Sequence, residues 1–139
     1  MPRLAPAEGR PLRLGAVADD GIAASIYALV ERGIHRRPAL SRQIHGEIEL
    51  RFDEELAPVR LVFDDQAVTV EDGSAHQPDL VISGRLPHVV ALATAPLLGG
   101  VPNPANRRGR AALARIANRR VRVTGNRTLG RKLLRLLAL

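Results

Sequence analysis

Residues 120–137 read RVRVTGNRTLGRKLLRLL, and two hydrophobic periods meet inside that run. Val121 and Val123 alternate with Arg120, Arg122 and Thr124, the period of two expected of a strand with one buried face. Beyond Gly125 the period lengthens. Leu129, Leu133, Leu136 and Leu137 share one side of a helix, Arg127, Arg131 and Arg135 take the other, and Leu134 widens the apolar side. Asn126 or Thr128 can supply the N-cap. The run therefore predicts a short strand, a glycine corner and an amphipathic, Leu-rich helix.

Working outward, the same period of two recurs upstream. Ile48, Leu50 and Phe52 alternate with Glu47, Glu49, Arg51 and Asp53; Val59, Leu61 and Phe63 flank Arg60; Val68 and Val70 oppose Thr69 and Glu71. Asp64, Asp65 and Gln66 mark the turn within this meander, and a turn over 73–78 leads into Leu80 and Ile82. Five strands are predicted, apolar on one face and charged on the other, as an antiparallel sheet allows. Ahead of them, Asp19 or Asp20 can cap a helix carrying Ile22, Ile26, Leu29, Val30 and Ile34, ending near Pro38. Between the fourth and fifth strands, Val89, Val90, Leu92 and Ala93 form one helical pattern and residues 111–117 another. Gly99, Gly100, Pro102 and Pro104 interrupt them, so 96–106 is read as a mobile loop. The fold class expected is α+β with a five-stranded, largely antiparallel sheet.

The chain of 139 residues fits one domain, assigned to 19–139, with 1–18 read as a flexible arm because Arg3, Arg10 and Arg13 alternate with Pro2, Pro6 and Pro11. That arm lacks the apolar run of a secretory signal. No stretch reaches the roughly 20 apolar residues that cross a bilayer. There is no cysteine, hence no disulfide framework and no thiolate chemistry, and a cytoplasmic location, peripheral to a membrane at most, is the economical expectation. Aromatic residues make up only 2%, namely Tyr27, Phe52 and Phe63, so the interior must be aliphatic.

Charge is divided unevenly. All 14 acids lie between Glu8 and Asp79; residues 1–104 carry net −4, whereas 105–139 hold ten Arg and Lys132 with no acid, +11. Such asymmetry points to an anionic partner. A nucleic acid is the alternative reading of the charge, but no aromatic follows Phe63 to stack on bases, and no groove-reading motif is present.

In order along the chain, a strand meander with Val68, Val70, Glu71, Asp72 and Gly73 is followed by Pro78, Asp79, Leu80, Val81, Ile82, Ser83 and Gly84, and then by the run from Arg120 to Leu137. This order resembles the sterol carrier protein type 2 domain over about residues 20–139. Asn126 stands where that family has an acid, which keeps the helix cap and removes a charge. The resemblance implies helices packed on one face of the sheet and an apolar tunnel between them for fatty acyl chains, phospholipids, sterols or isoprenoids. Its wall is expected from Ile48, Leu50, Phe52, Leu61, Phe63, Val68, Val70, Leu80 and Ile82, with Val89, Leu92, Leu97, Leu98, Leu133, Leu136 and Leu137 facing them. Plain core packing is the alternative for each residue. Arg107, Arg108, Arg110, Arg127, Arg131, Lys132 and Arg135 are expected to dock the tunnel mouth on an anionic membrane. The resemblance also allows a partner enzyme, such as one of isoprenoid quinone synthesis.

No cofactor and no chemistry are expected. His35, His45, His76 and His88 share no metal-ligand spacing. Ser25, Ser41, Ser74 and Ser83 lack the nucleophile elbow of hydrolases. Gly125 and Gly130 have the separation of a phosphate loop, but Arg131 and Lys132 follow where Lys and Ser or Thr are required.

Overall fold

The computed structural model describes residues 11–94, 97–98, 101–102, 104–118 and 120–138. Within them, thirteen elements follow in the order β1 (Leu12–Leu14), α1 (Ala23–Arg36), α2 (Pro38–Ser41), β2 (Gly46–Phe52), β3 (Val59–Phe63), β4 (Val68–Asp72) and β5 (Leu80–Gly84); then come α3 (Leu86–Ala93), β6 (Leu97–Leu98), β7 (Val101–Pro102), α4 (Arg107–Ala117), β8 (Val121–Gly125) and α5 (Arg127–Leu137). The five strands read from the period of two are β2, β3, β4, β5 and β8. A sixth, β1, adds to their edge, giving the order β1-β4-β3-β2-β5-β8. Leu12–Leu14 pairs parallel with β4, so part of the segment read as a flexible arm is a sheet edge; residues 1–10 lie outside the described residues. The sheet is mixed: β2–β3, β3–β4 and β5–β8 are antiparallel, β1–β4 and β2–β5 parallel.

The meander β2-β3-β4 closes on local turns; Asp64, for example, accepts the N–H groups of Gln66 and Ala67 at 2.8 Å each. Because β5 runs parallel to β2, the segment 73–79 has to return along the length of the sheet. It does so over the charged face. Glu49 accepts the Ala75 N–H at 2.8 Å, Glu47 accepts the Gln77 N–H at 3.1 Å, and Glu49 ends only 2% exposed. The two glutamates thus satisfy backbone donors that a crossing loop would otherwise leave unpaired.

The helices cover the other face. α1 packs over β4 and against α5, while α3 and α5 pack on β5. Ile48, Leu61, Phe63, Val68, Val70 and Leu80 are fully or almost fully buried beneath them. Neither Asp19 nor Asp20 caps α1, whose N-cap position is Ile22 with no side-chain bond of its own. Asp72, at the end of β4, does this instead, accepting the N–H of Ala18 at 2.8 Å and of Ala23 at 3.2 Å. α5 is capped as read, Asn126 accepting the Leu129 N–H at 3.0 Å. Gly125 makes the corner before it with φ +114°, and a Cβ there would lie 2.3 Å from the Asp79 carbonyl oxygen. Where α1 crosses α5, a Cβ on Gly33 would lie 2.4 Å from the Leu136 carbonyl oxygen, so only glycine permits this approach. In the segment read as a loop, β6 and β7 form a two-stranded antiparallel ribbon.

Candidate functional site

Between the sheet and its helices lies a cleft with an entirely apolar lining. The sheet contributes Leu50 and Ile82, α1 contributes Ile26 and Leu29, α3 contributes Val89, Val90, Leu92 and Ala93, and α5 contributes Leu133, Leu134 and Leu137. These residues converge because β2 and β5 are adjacent at Leu50 and Ile82, and because three helical stripes point down at that pair. The free interior is only ≈ 20 Å³, since the branched side chains of the walls fill nearly all of it. No lining side chain offers a hydrogen bond or a charge. Such a site can hold a molecule only by removing apolar surface from water, at about 0.8 kcal/mol per buried methylene. Two ligands differing by one methylene would be separated by only about 1–3 kcal/mol.

Of the residues expected on the wall, Leu50, Ile82, Val89, Leu92, Leu133 and Leu137 line the cleft. Ile48, Phe52, Leu61, Phe63, Val68, Val70, Leu80 and Leu136 are buried in the core instead, away from its lining. Leu97 and Leu98 form β6, and their side chains lie outside the described residues. Ile26, Leu29, Val90, Ala93 and Leu134 were not expected there. Their signal was present: Leu29, Val90, Ala93 and Leu134 are half-buried, each widening a helical stripe beyond what the core needs.

The seven cations expected at the mouth separate into two groups. Arg107, Arg108 and Arg110 crowd the first turn of α4, where they oppose the helix dipole. Arg108 reaches toward the Thr94 carbonyl oxygen at 3.4 Å, one residue past the cleft residue Ala93. α4 is also tied to α3 by Arg115, whose Nε donates to Nδ1 of His88 at 2.9 Å. Arg127, Arg131, Lys132 and Arg135 lie on α5, and Lys132 donates to the Gln43 carbonyl oxygen at 3.3 Å, on the side of α2. The two groups therefore border different helices.

No family model matches the sequence, and no curated protein matches it either. Solved structures do. UbiJ-SCP2, a ubiquinone synthesis protein, matches with a TM-score of 0.59 at 18% identity, over 83% of this chain and 91% of its own. Sterol carrier protein domain 2 of Helicoverpa armigera matches with a TM-score of 0.57 at 15% identity, over 88% and 91%. The chain has the sterol carrier protein 2 fold. A third structure of that fold, palmitated SCP2L2 from Aedes aegypti, matches with a TM-score of 0.51 at 14% identity, over 84% and 93%. The likeness lies in the arrangement of elements, which here sets α1, α3 and α5 over the β2–β5 pair and creates the cleft.

One of the histidines and two of the serines weighed for chemistry hold the fold together, as does the turn residue Asp64. His45 pairs with Asp65 at 3.2 Å, Ser83 accepts a bond from Arg122 at 3.2 Å, Ser41 donates to the Pro38 carbonyl oxygen at 2.6 Å, and Asp64 shapes a turn. Among the described residues, no three His, Asp or Glu side chains are grouped to hold a metal ion, and no helix is long and apolar enough to cross a membrane.

Proposed function

We propose that the chain binds a long hydrophobic molecule non-covalently between its sheet and helices, and carries or presents it without chemistry of its own. The observation that carries this reading is the cleft itself: every side chain lining it, from five different elements, is aliphatic. Such a lining matches a fatty acyl, sterol-like or isoprenoid chain and offers nothing to a polar substrate. Small-molecule pockets run to about 300–1,000 Å³, so the walls part to admit a ligand, and the half-buried Leu29, Val90, Ala93 and Leu134 at the rim are the residues that give way. The likeness to a palmitated SCP2L2 supports an acyl ligand. Arg107, Arg108 and Arg110, of which Arg108 reaches the Thr94 carbonyl oxygen beside the cleft, would bring that rim to an anionic lipid surface at about 1 kcal/mol per well-placed cation. On this reading the protein is a cytoplasmic carrier, peripheral to the membrane.

A second reading, presentation of the lipid to a partner enzyme, is favoured by the likeness to a ubiquinone synthesis protein along most of both chains. In either case the cleft is the site. Titration with a fluorescent fatty acid tests it, using the native chain and Ala93→Trp, which fills the rim. Saturable binding by the native chain, weakened at least tenfold by A93W, is the expected outcome. Absence of binding by the native chain, or equal affinity in the two proteins, would overturn the reading. Co-sedimentation with vesicles tests the basic rim: binding should need anionic lipid and weaken with salt.

A further inference from the structure

A second cavity, of ≈ 440 Å³, lies at the junction of α1, α2 and α5 and is lined by Arg36, Arg37, Arg135 and Gln43 with Pro38, Ala39 and Leu40. We infer that it is a binding site for a phosphate group, held by the guanidinium groups of Arg36, Arg37 and Arg135. This site is separate from the apolar cleft and does not rest on the lipid-binding reading.

Three cations converge there, and none of them has an ion-pair partner among the described residues. No Asp or Glu occurs between Glu31 and Glu47, the stretch that forms the end of α1, α2 and the turn after it, and none follows Asp79. Arg36 and Arg135 are exposed and have no hydrogen-bond or ion-pair partner among the described residues. Elsewhere in the molecule arginine meets carboxylate: Arg60 binds Glu47 and Glu71, Arg51 binds Glu49, and Arg122 binds Asp53.

Arg37 is different from its two neighbours, being half-buried and fixed. Its NH1 group donates to the Ala138 carbonyl oxygen at 3.1 Å. Arg32, one turn earlier, donates to the Leu137 carbonyl oxygen at 3.0 Å. These bonds satisfy carbonyls that the end of α5 leaves unpaired, and they offset the negative end of its dipole, which would otherwise repel an anion. Arg37 keeps further N–H donors free of that bond. The planar fork of arginine suits phosphate oxygens, two at a time, and a multiply charged group can answer several forks at once. A carboxylate, with two oxygens and one charge, would leave one of the three forks unanswered.

The source of the phosphate follows from where the cavity sits. α1 and α5 line both the cleft and this cavity, through Leu29 and Leu134 in one and Arg36 and Arg135 in the other. Along α1, Leu29 and Arg36 are about 10 Å apart at 1.5 Å per residue. Either a soluble phosphate or a lipid phosphate headgroup could therefore reach the arginines, and the two are separable by experiment.

Calorimetric titration with pyrophosphate at constant ionic strength, on the full chain and on Arg36→Gln/Arg135→Gln, is the first arm. Because both side chains are exposed and unpartnered, the double variant should retain the far-ultraviolet circular dichroism of the native protein. Arg120→Gln and Arg85→Gln together remove the same charge elsewhere and serve as the control. In the second arm, vesicles containing phosphatidic acid are compared with phosphatidylserine vesicles of equal charge. Saturable pyrophosphate binding that falls at least tenfold in R36Q/R135Q and is kept in the control supports a soluble phosphate. Preference for phosphatidic acid, lost only in R36Q/R135Q, supports a headgroup. Equal losses in both double variants would show general charge attraction and overturn the site, as would no saturable binding in either arm.

Discussion

Two charged regions of this molecule obey different rules. On the open face of the sheet, cations and anions are interleaved: Arg60 lies between Glu47 and Glu71, its bond to Glu71 measuring 2.8 Å, and Arg51 meets Glu49 at 2.6 Å. α4 and α5 contain no acid, and the cations on them and on the neighbouring end of α1 donate to backbone carbonyls, as Arg32, Arg37, Arg108 and Lys132 do, to the His88 ring, as Arg115 does, or to nothing within the described residues, as Arg107, Arg127, Arg131 and Arg135 do. The first arrangement is closed, since its charges already answer one another and hold a loop in place. The second is open, and its charges are available to something outside the chain. Net charge alone, +7, hides this distinction.

The largest effect is expected on the helix-covered face, where a charge is buried as well as answered: Asp72→Ala. This buried carboxylate accepts two backbone N–H groups ahead of and within α1. Its loss should lower stability by about 1.5–3 kcal/mol in urea denaturation, the range for hydrogen bonds to a charged group. An unchanged midpoint would show that α1 is held by packing alone. Arg60→Ala should have a smaller effect, about 1 kcal/mol, because the network is partly exposed and screened.

The same network predicts an acid limb. Burial alone would raise the Glu47 carboxyl, but hydrogen bonds from Arg60, Gln77 and His76, with the Arg60 charge, outweigh it and hold the group below its ordinary value of 4.5. A carboxyl lowered on folding contributes stability that is fully present above its unfolded value and is lost as pH falls through the folded one. Stability measured from pH 6 downward should therefore decline, and less steeply in R60A. Parallel curves for the two proteins would contradict this assignment. The smallest effect belongs to the open region: Arg107→Gln with Arg110→Gln should shift stability by no more than about 0.5 kcal/mol, while weakening vesicle binding. A loss of stability as large as that of R60A would mean that the two regions are built alike after all.

Most of the fold was legible because most of it is local. The alternation in β2 to β5 and the leucine stripe of α5 are properties of five to eleven consecutive residues, and elements formed at those places. β1 was not legible: three residues, Leu12, Arg13 and Leu14, are too few to show a period, and only pairing with distant β4 makes them a strand. The cap of α1 was misplaced for a similar reason, since Asp72 follows Ala23 by 49 residues. Val123 shares the alternation of Val121 yet is 40% exposed, in a strand that forms the edge of the sheet. For the cleft, periodicity tells which side chains turn inward but not where the inward ones fail to meet. Leu61 and Leu50 look alike in sequence; only the position of the helices puts one in solid core and the other on a wall.

The helices that frame the cleft are anchored unequally. α5 is held at its start by Asn126, whose backbone also bonds Asp79, pressed against α1 at Gly33, and clasped at its end by Arg32 and Arg37. α3 has no cap from its own N-cap residue; its first N–H leans on the Glu54 carboxylate at 2.9 Å, and its side-chain hydrogen bonds to another helix run through His88 and Thr94 to α4. α5 is thus the wall with more polar ties to the rest of the fold, and α3 the wall with fewer. α3 is thereby joined to the helix whose first turn carries Arg107, Arg108 and Arg110, so the wall of the cleft with the fewest anchors of its own is the one that borders the basic turn.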